Sequence, residues 1–192
     1  MAVASPAFRR HMFIRATAIL VLTGLLPMGD GLTHAQETQP SEYQLKAAFL
    51  YNFAKFVEWP SEALPQNNSP FVIGILGENP FADDLKKTVA GKKVSDHPID
   101  VVPFSTAAEA TNCHILFISS SEKTRLAEIF KSLQGVPILT VGETEQFTEA
   151  GGMVNFVREA NKIRFQINDN TAKVARLKIS SKLLSLAIRS PR

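Results

Sequence analysis

The chain has 192 residues, of which 45% are hydrophobic and 20% charged, and its formal net charge at pH 7 is +3. This length suits one domain behind a short leader, since single domains commonly contain about 100–200 residues. Residues 1–35 contain three arginines and one aspartate, so residues 36–192 carry a net charge of only +1. A charge this small gives no evidence for a nucleic-acid partner, and we predict none.

The first 35 residues have the pattern of a cleaved secretory signal peptide. Three arginines precede or flank an apolar run at 16–26, which is too short for a transmembrane helix of about 20 residues. Thr33 and Ala35 place small residues at the two recognition positions of a signal peptidase site. We therefore predict cleavage after Ala35, export to the periplasm, and a soluble mature protein that begins at Gln36.

An amphipathic helix opens the mature chain. Ser41 and Gln44 have the spacing of a capping box, and Pro60 ends the segment. At about 100° per residue, one stripe collects the large apolar side chains, which we expect to cover a sheet. The stripe consists of Leu45, Phe49, Leu50, Phe53, Phe56 and Val57. The opposite side carries Ala47, Tyr51 and Ala54, and we interpret it as a candidate partner surface.

Strands and helices alternate along most of the remaining chain. Apolar runs at 71–76, 99–102, 115–118 and 138–141 predict strands, and 153–157 with 163–167 predict a hairpin. Asn79 before Pro80, and Ser119 with Glu122, predict the starts of two intervening helices. The fold class is therefore α/β: a three-layer sandwich with a mostly parallel central sheet, helices on both faces, and a C-terminal antiparallel hairpin. We assign residues 36–192 to this single domain.

Polar residues follow the predicted strands where a ligand crevice would form. In open α/β sheets, small molecules bind beyond the carboxyl ends of the strands. Asn79, Ser119, Ser120 and Glu143 come after three of these ends. We take them as a candidate crevice for an anion or small polar metabolite, with an empty, water-filled edge as the alternative.

Residues with catalytic or metal-binding chemistry are few. Only His97 and His114 follow Ala35, and their spacing matches no metal motif. Serines 119–121 follow a strand but lack the glycines of a nucleophile elbow, which favours helix capping. We predict no enzyme activity, no catalytic residue, no metal and no cofactor.

A single cysteine, Cys113, opens the apolar run CHILFIS. Exported proteins usually have even numbers of cysteines, so this one needs an explanation. We predict a buried, unpaired thiol, since free cysteine is among the most buried residue types. An intermolecular disulfide or a reactive thiol is the alternative.

Five segments of the mature chain resemble the YfiR-like family of periplasmic regulatory proteins. They are QLKAAFLYNFAKFVEWP (44–60), FVIGILGENPF (71–81), CHILFIS (113–119), the LTVG…F…GGM pattern (139–153) and IRFQIND…ARLKISSKLLSLA (163–187). The resemblance implies a small α/β fold and a regulatory role, because the best-known members bind the periplasmic part of an inner-membrane diguanylate cyclase and hold it inactive. Family genes also stand beside histidine kinases and TonB-type receptors, which leaves the membrane partner open. A homodimer, and a second function as a small-molecule-binding accessory of a sensor or transport receptor, also stay open.

The chain departs from the family at one position. Relatives often carry a cysteine in the first strand, which can pair with the cysteine before HILFIS. Gly74 stands there in this sequence, so the resemblance implies that Cys113 has lost that partner and that redox control of the family's kind is in doubt.

Overall fold

A computed structural model of the protein describes residues 40–64 and 69–188. The predicted signal peptide and its cleavage site lie outside these residues. The helices are α1 (Glu42–Phe56), α2 (Asp84–Val89), α3 (Leu126–Ser132), α4 (Asp169–Val174) and α5 (Ser181–Leu186). The strands are β1 (Val57–Glu58), β2 (Phe71–Leu76), β3 (Lys93–Val94), β4 (His97–Phe104), β5 (Ile115–Ile118), β6 (Leu139–Gly142), β7 (Val154–Glu159), β8 (Lys162–Ile167) and β9 (Lys178–Ile179). Short 3₁₀ helices span Ser61–Ala63, Glu109–Asn112 and Ser120–Arg125.

Seven strands form one sheet in the order β3-β4-β2-β5-β6-β7-β8. The pairs from β4 across to β7 are parallel, whereas β3 and β8 run antiparallel to their neighbours. The mostly parallel sheet predicted from the sequence is therefore confirmed. The antiparallel pair β7–β8 is followed by α4, β9 and α5, so it is not the last element of the chain.

Side chains of the central strands alternate between two buried clusters, one on each face of the sheet. Ile73 and Ile115 belong to the first cluster, which α1, α2, α4 and α5 cover. Leu76 and Leu116 belong to the second cluster, which α3 and the 3₁₀ helix Glu109–Asn112 cover. Continuous apolar strands follow from this burial on both faces, because neither face of such a strand meets water.

Pairing between distant segments changes the predicted end of the first helix. The capping box of Ser41 and Gln44 is present, but α1 ends at Phe56. Val57 pairs with Ile179, and the two-residue strands β1 and β9 form a small antiparallel sheet. Val57 therefore belongs to a strand and not to the helical stripe, because a partner more than 120 residues away outweighs the local periodicity.

Two predicted helix starts are also wrong in detail. Ala82 has a φ of 46°, which is incompatible with a right-handed helix, so α2 begins only at Asp84. The Ser119 N–H donates to the Leu76 carbonyl, so it is not available to the Glu122 carboxylate as a capping box requires. A 3₁₀ helix therefore precedes α3.

Candidate functional site at the carboxyl ends of the strands

The loop after β2 uses its polar atoms internally. The Glu78 N–H donates to Oγ of Ser121 over 3.0 Å. Asn79 accepts a hydrogen bond from the Phe81 N–H at 3.0 Å and donates to the Ala82 carbonyl at 3.3 Å. The Asn79 side chain therefore stabilises its own turn, which leaves its amide with fewer atoms for a ligand.

The two candidate serines after β5 have different environments. Ser119 is buried; its N–H donates to the Leu76 carbonyl, and its Oγ accepts from the Ser121 N–H. Ser120 is exposed at the same edge of the sheet. Only one of these two hydroxyls therefore faces solvent.

Glu143, directly after β6, is held by the first turns of α1. Its carboxylate accepts hydrogen bonds from Nζ of Lys46 at 2.6 Å and from the Tyr43 hydroxyl at 3.3 Å. Lys46 also binds Glu42 at 2.5 Å. The Lys46 side chain is 5% exposed and that of Glu143 is 10% exposed. These four residues, which we name the Lys46 cluster, occupy the edge of the sheet beyond β6.

The ammonium group of Lys46 keeps its positive charge within the cluster. Burial alone would lower the pKa of Lys46, but the hydrogen bonds that Lys46 donates to Glu143 and Glu42, with their negative charges, outweigh burial, and the pKa is raised. Burial and the negative charge of Glu143 raise the pKa of Tyr43. The cluster therefore contains an ammonium group and a neutral phenol, with Arg158 placed 3.7 Å from Glu42 at its outer side.

Sequence reasoning found Glu143 but missed the residues that bind it. Lys46 stands four and seven residues before Leu50 and Phe53, so it shares the buried stripe of α1. A lysine is almost never buried unless it is paired. This position, together with Glu42 one turn earlier, is the signal that predicts a buried ion pair.

The partner surface proposed on the opposite side of α1 is not available in this fold. Ala47 and Ala54 are 0% and 2% exposed because α2 packs against this side of the helix. The prediction that these two alanines contact a partner is therefore wrong. Tyr51 is half-buried, and Nζ of Lys92 lies 4.6 Å from the centre of its ring. Small side chains on a helix allow a neighbouring helix to approach closely, and that is their role here.

The family assignment rests on the length of chain that matches. The sequence profile described as YfiR/HmsC-like matches residues 43–188, which span α1 through α5. The chain belongs to the YfiR/HmsC-like family. Proteins of this family are periplasmic and regulatory. None of the curated proteins compared with the chain matches it. Among the described residues, no helix is long and apolar enough to cross a membrane.

His114 is buried at the amino end of β5, at the opposite end of the sheet from the Lys46 cluster. Nδ1 of His114 accepts a hydrogen bond from the Val72 N–H at 3.0 Å, and its ring stacks on Phe71 at 4.3 Å. The indole N–H of Trp59 donates to the His114 carbonyl at 3.2 Å. Since Nδ1 acts as an acceptor, the imidazole is neutral. Burial lowers the pKa of His114.

We expect the free energy of unfolding to decrease as the pH decreases, because of His114. Its pKa lies below the ordinary value of 6.5 in the folded state, so the unfolded chain binds the proton first. The stabilisation is complete above that value and is lost as the pH falls from 6.5 toward the lowered pKa. His114→Asn keeps an acceptor for Val72 without titrating, so urea unfolding should show a flatter pH dependence. The matched control His97→Gln should leave the decline in place; an unchanged slope in His114→Asn would contradict the prediction.

Cys113 is buried, as predicted. A Cβ atom at Gly74 would lie 2.7 Å from a ring carbon of Phe104 and 2.9 Å from a methyl of Leu116. A cysteine at position 74 would therefore require the Phe104 ring to move.

We expect Cys113 to react slowly with thiol reagents. Burial raises its pKa from 9.0 to about 12, which lowers the thiolate fraction at neutral pH about a thousandfold. Labelling should therefore be slow in the native protein and fast in denaturant. Rapid native labelling, or a dimer that a reductant abolishes, would support the alternative of a reactive or intermolecular thiol.

A separate cavity of about 330 Å³ lies between α3, α4 and the start of β7. Its walls include Phe130, Leu133, Thr140, Met153 and Val174. Neither Asn79 nor Glu143 lines it. Most of these side chains are apolar, so the cavity suits a small apolar molecule.

Proposed function

We propose that this protein acts in the periplasm and represses a membrane-bound signalling enzyme, a diguanylate cyclase, by direct contact. The observation that carries this proposal is the match to the YfiR/HmsC-like family over residues 43–188. The family is regulatory, and the match includes the whole seven-stranded sheet.

The placement of reactive side chains supports a binding role without catalysis. His97 and His114 stand at the amino ends of β4 and β5, whereas Ser119 and Ser120 follow the carboxyl end of β5. Ser119 is five residues from His114, so at roughly 3.3 Å per residue the strand separates His114 from these serines by about 16 Å or more. No serine–histidine pair can form across that distance, and the described residues contain no group of three acidic, histidine or cysteine side chains suited to a metal. We therefore propose that the isolated protein has no turnover.

Repression requires a difference in affinity between two states of the partner. A bound protein shifts an equilibrium only by that difference, so this protein must bind the inactive cyclase more tightly than the active one. Residues 36–192 carry a net charge of +1, so long-range attraction is weak. Local apolar and hydrogen-bonded contacts must then supply most of the affinity.

Deletion and localised complementation test the proposal. Deletion of the gene should raise cyclic di-GMP, and the full chain should restore the original level. A version beginning at residue 36 lacks the predicted leader and should fail to complement, because it stays in the cytoplasm.

Purification from detergent-solubilised membranes should recover an identified cyclase with the full chain. Unchanged cyclic di-GMP and no recovered cyclase would refute the proposal, whereas recovery of a histidine kinase or TonB-type receptor would change the target and keep the regulatory class.

Export belongs to the same proposal. Intact-mass measurement of the periplasmic protein should give a chain that begins at Gln36. A mass that still includes residues 1–35 would refute cleavage after Ala35.

The apolar cavity favours one alternative, a small-molecule-binding accessory of a sensor or receptor. Its volume of about 330 Å³ is at the lower end of the range for ligand pockets. Val174→Trp would fill its mouth, because Val174 lines the cavity and is exposed. If this variant still lowers cyclic di-GMP as the wild type does, regulation does not depend on a ligand in the cavity.

A further inference from the structure

The β7–β8 hairpin projects beyond the rest of the sheet. β6 pairs with β7 only at Val154 and Asn155, whereas β7 continues to Glu159 along its antiparallel partner. β8 is the last of the seven strands, so one of its sides has no neighbouring strand among residues 40–64 and 69–188. A strand in this position presents main-chain donors and acceptors that another chain can pair with.

One hydrogen bond shows which backbone groups of β8 point outward. The Phe165 carbonyl accepts from the Ile188 N–H at 2.9 Å, so it faces away from β7. In an antiparallel ladder every second residue points the same way, which places the N–H and C=O of Ile163 on this outer side as well. Ile188 covers the outer side next to Gln166. On this outer side, no main-chain group in the segments that the structure describes pairs with Ile163, whose partner on the inner side is Arg158 of β7.

The side chains at this open half of β8 alternate in chemistry. Lys162 and Arg164 are exposed on one face of the strand. Ile163 and Phe165 lie on the other face, where Phe165 contacts the rings of α1. Arg164 is 3.8 Å from Glu159, and Lys162 forms no ion pair with any described residue. We name residues 162–165 the β8 edge.

We propose that the β8 edge accepts an extended acidic segment of the membrane partner as an added strand. Residues directly opposite each other on paired strands come within about 5.5 Å, so carboxylates would face Lys162 and Arg164, and apolar side chains would face Ile163. A second copy of this chain fits less well, because its own Lys162 or Arg164 would face Arg164 and like charges opposite each other are destabilising. This inference rests on the proposed function and identifies the surface that performs it.

Peptide binding tests the edge without the membrane enzyme. The probes are two capped seven-residue peptides, one alternating Glu with Val and the other alternating Lys with Val. The exported protein should bind the acidic peptide about tenfold or more tightly than the basic one, and added salt should reduce the difference. Amide exchange of Ile163 should slow when the acidic peptide is bound. Equal binding of both peptides, no binding of either, or self-association through β8 would overturn the proposal, and the charges would then serve only to keep the edge unpaired.

Two variants separate main-chain pairing from charge. Ile163→Pro removes a donor that points outward and no donor of the β7 ladder, so the ladder should stay intact and peptide affinity should fall about tenfold. Ile163→Val keeps the donor and an apolar side chain, and it is the matched control. K162E/R164E leaves the main chain unchanged and should reverse the preference, so that the basic peptide binds more tightly than the acidic one. Wild-type affinity in Ile163→Pro, or an unchanged preference in K162E/R164E, would overturn the proposal.

The cellular measurement distinguishes this inference from the proposed function. If the wild type lowers cyclic di-GMP and K162E/R164E does not, while both have the same melting temperature, the edge is the contact surface. If the wild type and K162E/R164E lower cyclic di-GMP equally, the proposal for the β8 edge is overturned and the proposed repressor function stands. If the wild type has no effect while the peptides bind as expected, the proposed function fails and the edge retains its preference for acidic strands.

Discussion

Phe53→Ala should lower the free energy of unfolding by about 3–5 kcal/mol, because truncating a buried phenylalanine loses apolar burial and leaves a cavity. The Phe53 ring is fully buried and lies 5.2 Å from the ring of Phe165, 5.8 Å from that of Phe156 and 6.2 Å from that of Phe49. Each kcal/mol lowers the melting temperature by roughly 2–4 °C in a protein of this size. Chemical and thermal unfolding of the exported protein measure the loss.

Two other positions of α1 control for general effects on the helix. Asn52 is adjacent and exposed, so Asn52→Ala should change stability by less than about 0.5 kcal/mol. Phe49 is only partly buried, so Phe49→Ala should cost less than Phe53→Ala. A melting temperature for Phe53→Ala equal to that of the wild type would show that the α1 stripe does not pack on the sheet.

The sequence predicts the centre of this fold well because burial determines it. β2 and β5 are continuously apolar and β6 is mostly so, and the structure places these strands side by side with both faces covered. The capping box at Ser41 depends only on residues within one helical turn, and it also forms as predicted. Local chemistry and burial are the two signals that a single sequence carries directly.

Features that depend on distant partners could not be predicted in the same way. Val57 fits a helical stripe, and only its pairing with Ile179 makes it a strand residue. Pro103 suggests the end of a strand, yet β4 continues through Phe104. β4 meets β3 only at its first two residues, so Pro103 lies where the strand has an open edge and a missing donor is tolerated.

At the candidate site too, the sequence predicts what local signals determine and misses what depends on distant segments. Glu143 was identified because it directly follows a predicted strand, and the structure places it at the carboxyl edge of the sheet. The amphipathic pattern of α1 did not indicate that Lys46 would turn toward this carboxylate. The same pattern assigned Ala47 and Ala54 to an open side, whereas their small size allows α2 to cover them.

Lys46→Met should be as destabilising as the loss of Phe53, with an expected cost of about 3–5 kcal/mol, because it leaves Glu143 buried without its cation. Methionine is unbranched and only one heavy atom shorter than lysine, so the loss reports mainly the charge. Lys173→Met is the matched control: Lys173 and Asp169 have the same i,i+4 spacing and the same 2.5 Å distance as Lys46 and Glu42, but Lys173 is 67% exposed. An exposed pair of this kind contributes about 0.3–0.5 kcal/mol. Burial is therefore the property that the comparison isolates.

A double-mutant cycle shows whether the cost arises from the unpaired carboxylate. Glu143→Gln removes the negative charge but keeps an oxygen that accepts from Tyr43, so combining it with Lys46→Met should recover most of the lost stability. Glu42 is more exposed, so water can solvate its carboxylate when Lys46 is absent. If the double variant is as unstable as the sum of the two single variants, Lys46 and Glu143 are not energetically coupled, and the Lys46 cluster does not hold α1 to the edge of the sheet.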